Sequence, residues 1–297
     1  MKKSSFYKLI ATFLLVISIL CFYLGYSQVK SPILLALAFH GVSDDEKDFF
    51  SIKQDKLFSI IKKLQKHDYK AITPQQFESE LLLGSNQREG RKFIVTFDDG
   101  RSESANAIRT LKTEFGISSA LFIVLDLIGK PDYMDLLTII DLKENYDCFI
   151  GLHGQRHVEV TKILEEKTDL TKELKTAREI LGKLVNQEIT WFSYPYGETN
   201  DEAKKSLKES GLHIAFNVLG GNIKENDDLL FINRIMYIKN AKEKGMPDPE
   251  SWAPPYTVSN GTLTVTLSLL VGFLSINWFL NAKKAKIYEM KKKQNNL

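Results

Sequence analysis

Short unbroken apolar runs alternate with helix-like stretches along the middle of the chain. Ile33–Phe39 is apolar throughout, as befits a strand buried on both faces. Leu57, Ile60, Ile61 and Leu64 follow at the spacing of one helix face. Phe93–Phe97 and Ala120–Val124 read as further buried strands, and Cys148–Leu152 as another that ends at a histidine. Leu170, Leu174, Ala177, Leu181 and Leu184 mark a helix, and Thr190–Phe192 a strand. Asn200–Ser210 reads as a helix with Asn200 as its N-cap and Gly211 as its stop. His213–Val218 closes the series. Strand–helix alternation of this kind predicts an α/β fold with a parallel sheet or barrel.

The two ends follow a different pattern. No residue from Leu9 to Val29 is charged, and Lys2, Lys3 and Lys8 precede that stretch. It is long enough to span the ~30 Å hydrocarbon core. A cleaved signal peptide is the rival reading, but no small-x-small site follows the apolar run cleanly. Thr262–Leu280 is also without charge, and six lysines follow it. A buried core helix would not usually lack every charge and then end in a lysine cluster. Lysines on the terminal side of both spans place both termini in the cytoplasm and the body outside. The expected organisation is a cytoplasmic N-terminus over 1–8, a transmembrane anchor over 9–28, one α/β domain over 31–243, a linker over 244–261, a second transmembrane helix over 262–281 and a basic cytoplasmic tail over 282–297. Pro247, Pro249, Pro254 and Pro255 give the linker its extended character.

Composition narrows the class. The 297 residues are 43% hydrophobic and 26% charged, with 17 Gly and 8 Pro, which excludes a disordered chain or a collagen. Two cysteines, Cys21 and Cys148, cannot build a disulfide framework or a Cys-rich zinc site. The chain carries a net +3, but its two ends carry +3 and +5, leaving −5 on the stretch between. A nucleic-acid protein would carry its positive charge on the body, so no nucleic-acid partner is expected.

Candidate chemistry gathers at strand ends. Thr96-Phe97-Asp98-Asp99-Gly100 ends a strand in two adjacent carboxylates. One can hold a metal while the other stays free as a base, although Asp before Gly is also an ordinary turn. His153-Gly-Gln-Arg-His157 places two histidines four apart, which on one face of a helical turn suits a single metal. With Asp99 they make a two-His, one-carboxylate set that leaves positions open for water and substrate. Phe192-Ser-Tyr-Pro-Tyr-Gly197 is a turn that offers backbone N–H groups and aromatic walls, suited to an oxyanion and a sugar ring. His67 and His213 read as structural.

In this order the three segments resemble the motifs of the polysaccharide deacetylases of the NodB-homology family, carbohydrate esterase family 4. The resemblance spans about residues 34–240. Ala38-Phe-His40-Gly-Val42 ahead of Thr96–Gly100 is similar to the poly-N-acetylglucosamine deacetylase branch, whose motif order is circularly permuted. The resemblance implies a distorted (β/α)7 barrel with its site at the strands' C-terminal ends, here flanked by two transmembrane helices. It implies a divalent ion, Zn²⁺, on Asp99, His153 and His157, with Asp98 as the base and His40 as the acid that protonates the leaving amine. Tyr194 and Tyr196 take the substrate and oxyanion role. Two departures stand out. Ser193 occupies the place of an arginine that usually steadies the base, with Arg234 as its candidate substitute, and Gly154 replaces the usual Ser/Thr.

The implied reaction is metal-assisted hydrolysis of the acetamide of an N-acetylhexosamine polymer, giving acetate and a free amino sugar. The short distance from the first span to Ile33 favours a glycan emerging at the outer face of the cell membrane. Peptidoglycan and lipid-linked sugars are the other substrate candidates, and a membrane glycan synthase is a candidate partner. The competing function is a catalytically silent glycan-binding module of an envelope complex. A binder has no need of both Asp98 and Asp99.

Overall fold

The computed structural model describes residues 32–239, apart from 46–47 and 85–86, together with Thr12, Phe13, Val16, Ile19 and Leu20. Those last five are helical. The remainder of both expected spans, 9–28 and 262–281, lies outside the described residues, as do the linker and the tail. Among the described residues no helix is long and apolar enough to cross a membrane.

Among the described residues ten strands follow one another: β1 (Ile33–Phe39), β2 (Gly41–Val42), β3 (Ser51–Ile52), β4 (Tyr69–Ala71), β5 (Arg91–Phe97), β6 (Ser119–Ile123), β7 (Cys148–Leu152), β8 (Trp191–Ser193), β9 (Ile214–Phe216) and β10 (Ile235–Met236). Eight of them form one parallel sheet in the order β10-β1-β5-β6-β7-β8-β9, with β4 also on β5. The sheet curls into a half-barrel with helices outside, the NodB-type (β/α) arrangement. Edge strand β9 makes one isolated parallel bridge, Phe216 to Ile232, to the segment ahead of β10. The stretch between β9 and β10 carries Gly220 and Gly221 at positive φ, conformations that suit turns rather than strand.

A period of two sorts the side chains into two layers. Leu35, Leu37 and Phe39 of β1 and Phe93, Val95 and Phe97 of β5 pack outward against the helices, among them Leu57, Ile61, Leu111, Leu174 and Leu181. Leu34, Ala36, Ile94, Ala120, Phe122, Trp191 and Phe216 face the concave side, where the helix Pro74–Leu82 contributes Phe77 and Leu81. That helix starts with a capping box between Thr73 and Gln76 and a proline in its first turn, a start signal that apolar spacing alone passes over.

The strands and helices predicted from the sequence appear within a residue or two of their expected limits. Asn200 accepts from the Ala203 N–H as the N-cap of Asp201–Glu209, and Gly211 has a φ of 89° just beyond that helix. One position is corrected. In the helix Leu170–Val185, Val185 is buried and Leu184 is 39% exposed, because the apolar face continues from Leu181 by a step of four rather than three.

Candidate active site

The inner-face parity of the strands delivers the site residues. In β1, Leu34 and Ala36 point into the concave layer, and two and four positions beyond Ala36 the same parity gives Ala38 and His40. In β5 the inner row runs Ile94, Thr96, Asp98. In β7 it runs Gly151, His153, with Gly151 so close to Phe122 that a Cβ would lie 2.5 Å from its ring. In β8 it gives Trp191 and then Ser193. Four strands thus aim chemistry at one rim from their C-terminal ends.

Asp98 is buried and fully engaged. Arg234 donates to both of its oxygens, Nη1 to Oδ1 and Nη2 to Oδ2, each at 2.7 Å. The same guanidinium donates to Thr96 Oγ1 at 3.0 Å, Ser193 Oγ at 2.7 Å and the Asn217 carbonyl at 3.2 Å, so all five N–H groups are satisfied. Ser193 Oγ in turn donates to Asp98 Oδ2 at 3.1 Å. Arg234 is itself fully buried and sits over the Phe122 and Phe216 rings at 5.4 and 5.6 Å. Burial alone would raise the Asp98 carboxyl, but Arg234, then His153 and His40, hold it at about 2. It is a carboxylate at neutral pH with fixed orientation.

Asp99 turns the other way because its φ of 71° is left-handed. Its Oδ1 lies 3.3 Å from His153 Nε2 and 3.4 Å from His157 Nε2. The ligand atoms of the three residues lie within 4.8 Å of one another. Asp99 Oδ1 is buried without a hydrogen-bond donor. His153 Nδ1 lies 2.8 Å from the Ser193 carbonyl. That acceptor takes the proton on Nδ1 and leaves Nε2 as the free lone pair, the usual support of a metal-ligating histidine. Burial lowers His153, but Asp98 and Asp99 more than offset this, and its pKa is raised. The unpartnered Asp99 Oδ1 and the two Nε2 atoms converge on one point. His157 is lowered, by burial and then by His153, which keeps it a neutral donor. These residues fit a divalent cation.

The two histidines do not share a helical turn. Residues 153–159 form an irregular loop, in which Gly154 takes a φ of 92° and a Cβ there would lie 2.7 Å from the Arg156 carbonyl. A Ser or Thr at that position would be strained, which accounts for the glycine.

His40 lies across from the base, its Nε2 4.0 Å from Asp98 Oδ2 and its ring 5.1 Å from the Phe50 ring. Burial holds it below the ordinary histidine value. Tyr196, at a φ of 61°, is 58% exposed and packs 4.8 Å from the His157 ring. Tyr194 is different from expectation. Its ring is buried, its hydroxyl donates to the Leu230 carbonyl and its N–H to the Phe216 carbonyl. Being spent on the sheet and core, it presents neither a wall nor a donor to the site.

The family model described as polysaccharide deacetylase matches residues 85–215, the stretch that carries Asp98, Asp99, His153, His157 and Ser193. Over this stretch the chain matches the polysaccharide deacetylase family. The deacetylase is accordingly a hydrolase of linear amide C–N bonds. It is 25% identical over 233 residues to the poly-beta-1,6-N-acetyl-D-glucosamine N-deacetylase of Staphylococcus aureus, covering 74% of this chain and 79% of that one. Its fold is that of Streptococcus pyogenes deacetylase PplD, solved in complex with acetate (TM-score 0.62, 18% identity, 73% of this chain and 95% of that one). IcaB from Ammonifex degensii has the same fold (TM-score 0.61, 18% identity, 78% and 97%).

Sequence reasoning missed Arg101. Its Nε donates to Asp99 Oδ2 at 3.0 Å. The available signal was its place directly after the Asp-Asp-Gly turn. Ser193 stood out only as a departure from the motif, whereas here it links the base to Arg234.

Proposed function

We propose that the deacetylase removes acetyl groups from N-acetylhexosamine units of a cell-envelope glycan of the poly-N-acetylglucosamine kind. It would work at the outer face of a membrane that its two apolar segments cross, with both termini in the cytoplasm. The observation that carries the reading is the pairing of a clamped carboxylate, Asp98, with the cation-seeking corner of Asp99, His153 and His157. The name of the Staphylococcus aureus relative supports the glycan. The uncharged stretches over 9–28 and 262–281, with lysines on their terminal sides, support the membrane placement.

Asp99, His153 and His157 would hold the ion, and their N and O donors suit Zn²⁺. Bound there, it supplies a Lewis acid for the acetamide carbonyl and a lowered pKa for water. Asp98 accepts a proton from the attacking water as the oxygen adds to the carbonyl carbon. Arg234 and Ser193 keep that carboxylate from turning away. The Tyr196 backbone steadies the oxyanion, and its exposed ring offers a face to a sugar. His40 delivers a proton to the sugar nitrogen as the C–N bond breaks, leaving acetate and a free amine. The neutral resting state of His40 means that it must take up this proton before the nitrogen leaves.

The test is acetate release by the full chain in detergent from poly-N-acetylglucosamine, peptidoglycan and a lipid-linked N-acetyl sugar. Release from the first, lost with chelator and restored by Zn²⁺, is the expected result. Release from peptidoglycan alone would overturn the substrate, and activity unaffected by chelator would overturn the metal. A cytoplasm-active reporter fused at Leu297 should be active, and the same reporter within Pro247–Pro255 silent. The reverse pattern would overturn the topology.

A further inference from the structure

We propose that Arg101 is a positioning residue that fixes the orientation of Asp99 and ties this carboxylate to the loop packed over His40. The inference rests on the metal reading above.

The backbone leaves Arg101 little freedom. The Gly100 carbonyl accepts from the Met134 N–H at 2.9 Å, Arg101 pairs with Tyr133, and the Ser102 N–H donates to the Asp132 carbonyl at 2.9 Å. From this anchored position its guanidinium divides its donors. Nε holds Asp99 Oδ2 at 3.0 Å. Nη1 donates to Asp48 Oδ2, across more than fifty residues of sequence. With Oδ2 occupied, the oxygen left to meet His153 and His157 is Oδ1, the one that lacks a donor.

The next residues extend the bracket. Glu103, nearly buried and 3.9 Å from Arg101 Nη1, accepts from Ser51 Oγ at 2.8 Å and Ser43 Oγ at 3.3 Å. Its carboxylate lies over Gly41, where a Cβ would come within 1.7 Å of Oε1. The Ser104 hydroxyl donates to the His40 carbonyl. The strands β2 and β3 lie within this same loop, which also seats Phe50 against the His40 ring. The turn after Gly100 therefore grips Asp99 through Arg101 and the His40 loop through Arg101, Glu103 and Ser104. An arginine suits the junction because a planar fork can address two carboxylates at fixed angles, and a lysine ammonium cannot.

Two effects of Arg101 on a bound cation oppose each other. Its charge alone repels the ion, whereas its hold on Asp99 prearranges a ligand. Loss of a partner that orients a ligand typically weakens metal binding about 10- to 100-fold. The experiment is Zn²⁺ affinity of the full chain in detergent, by competition with a chromophoric chelator, for the parent, Arg101→Gln, Arg101→Lys, Asp48→Asn and the double variant Arg101→Gln/Asp48→Asn. Melting temperatures are read alongside without metal. Arg101→Gln and Arg101→Lys should each bind Zn²⁺ about 10- to 100-fold more weakly. Asp48→Asn should give a smaller loss in the same direction and add nothing to Arg101→Gln, since both break one chain of contacts. Unchanged or tighter binding in Arg101→Gln, with the parent binding normally, would overturn the proposal and leave the metal reading standing. So would additive losses that track the melting temperature. A parent that takes up no divalent ion overturns both.

Discussion

Along β5, Ile94 and Asp98 face the same concave side of the sheet. Ile94 is packed among Leu34, Ala36 and Phe122. Two repeats of the pleat further, beyond Thr96, the same row becomes a carboxylate gripped by Arg234 and Ser193. The apolar floor and the charged rim are made by the same strands. They differ in what happens when one part is lost. A missing methyl group in the floor leaves a cavity whose cost scales with its size. A missing partner in the rim leaves a buried charge alone, and the cost is larger and falls on chemistry as well. The two regions also lean on each other, since the Phe122 and Phe216 rings form the surface on which Arg234 rests.

The sharpest way to separate them is to remove a rim residue that carries function without carrying the fold. His153→Ala and His157→Ala should each drop acetate release to background and lose the bound ion. Without metal the His157→Ala melting temperature should stay close to the parent value, because that side chain is 31% exposed, whereas His153→Ala, which empties a buried position bonded to the Ser193 carbonyl, should fold with a lower one. Undiminished metal content in either variant would remove that histidine from the ligand set.

Arg234→Gln should couple both losses. The Asp98 charge would be buried without its partner, at a cost of about 3–5 kcal/mol, and turnover should fall with it. The pH dependence gives the sign. A carboxyl held at about 2 instead of its usual 3.8 stabilises the fold fully above the unfolded value, and this is lost as pH falls through about 2. In Arg234→Gln the burial that raises this carboxyl is no longer opposed by the arginine, so acid unfolding should begin at higher pH. Denaturation curves from pH 2 to 7 read this directly. An unmoved acid limb would mean that Asp98 does not need the arginine.

His40→Ala should slow turnover by at least ~100-fold, the usual worth of a general acid, while Zn²⁺ content and melting temperature hold. The side chain is 11% exposed and its Nδ1 is buried without a partner, so the fold loses no hydrogen bond at that nitrogen with it. A lowered melting temperature with turnover nearly intact would make His40 a structural residue, with its proton supplied from elsewhere.

How much of this was legible follows the same division. Strand rows such as Leu34, Ala36 and Ile94 announce themselves by apolar runs, and Asp98-Asp99 and the two histidines by their residue types at strand ends. Arg234 was legible only as a lone arginine. What gives it meaning is the parallel pairing of β10 with β1, a contact between residues nearly two hundred positions apart that local spacing cannot encode. Tyr194 was misassigned because a Tyr-Pro-Tyr turn does not say which ring turns inward, and the Leu230 carbonyl that fixes it comes from a distant loop. The helical turn expected at His153–His157 failed on Gly154, whose positive φ bends the chain away from helix.

The smallest effect tests the floor's own rule. On the helix Leu170–Val185 the larger apolar side chain, Leu184, points outward, and the smaller one, Val185, is buried against the sheet layer. If burial rather than size decides, Val185→Ala should cost about 1–2 kcal/mol, part of the ~1.5–3 kcal/mol that burying a valine contributes. Leu184→Ala should stay within about 0.5 kcal/mol, as exposed substitutions do, helped by alanine's higher helix propensity. Urea midpoints of the two variants at equal slope would measure this. Equal losses, or a larger one for Leu184, would mean that the apolar stripe runs through Leu184 as the sequence spacing first suggests, and that this helix sits rotated from the position described.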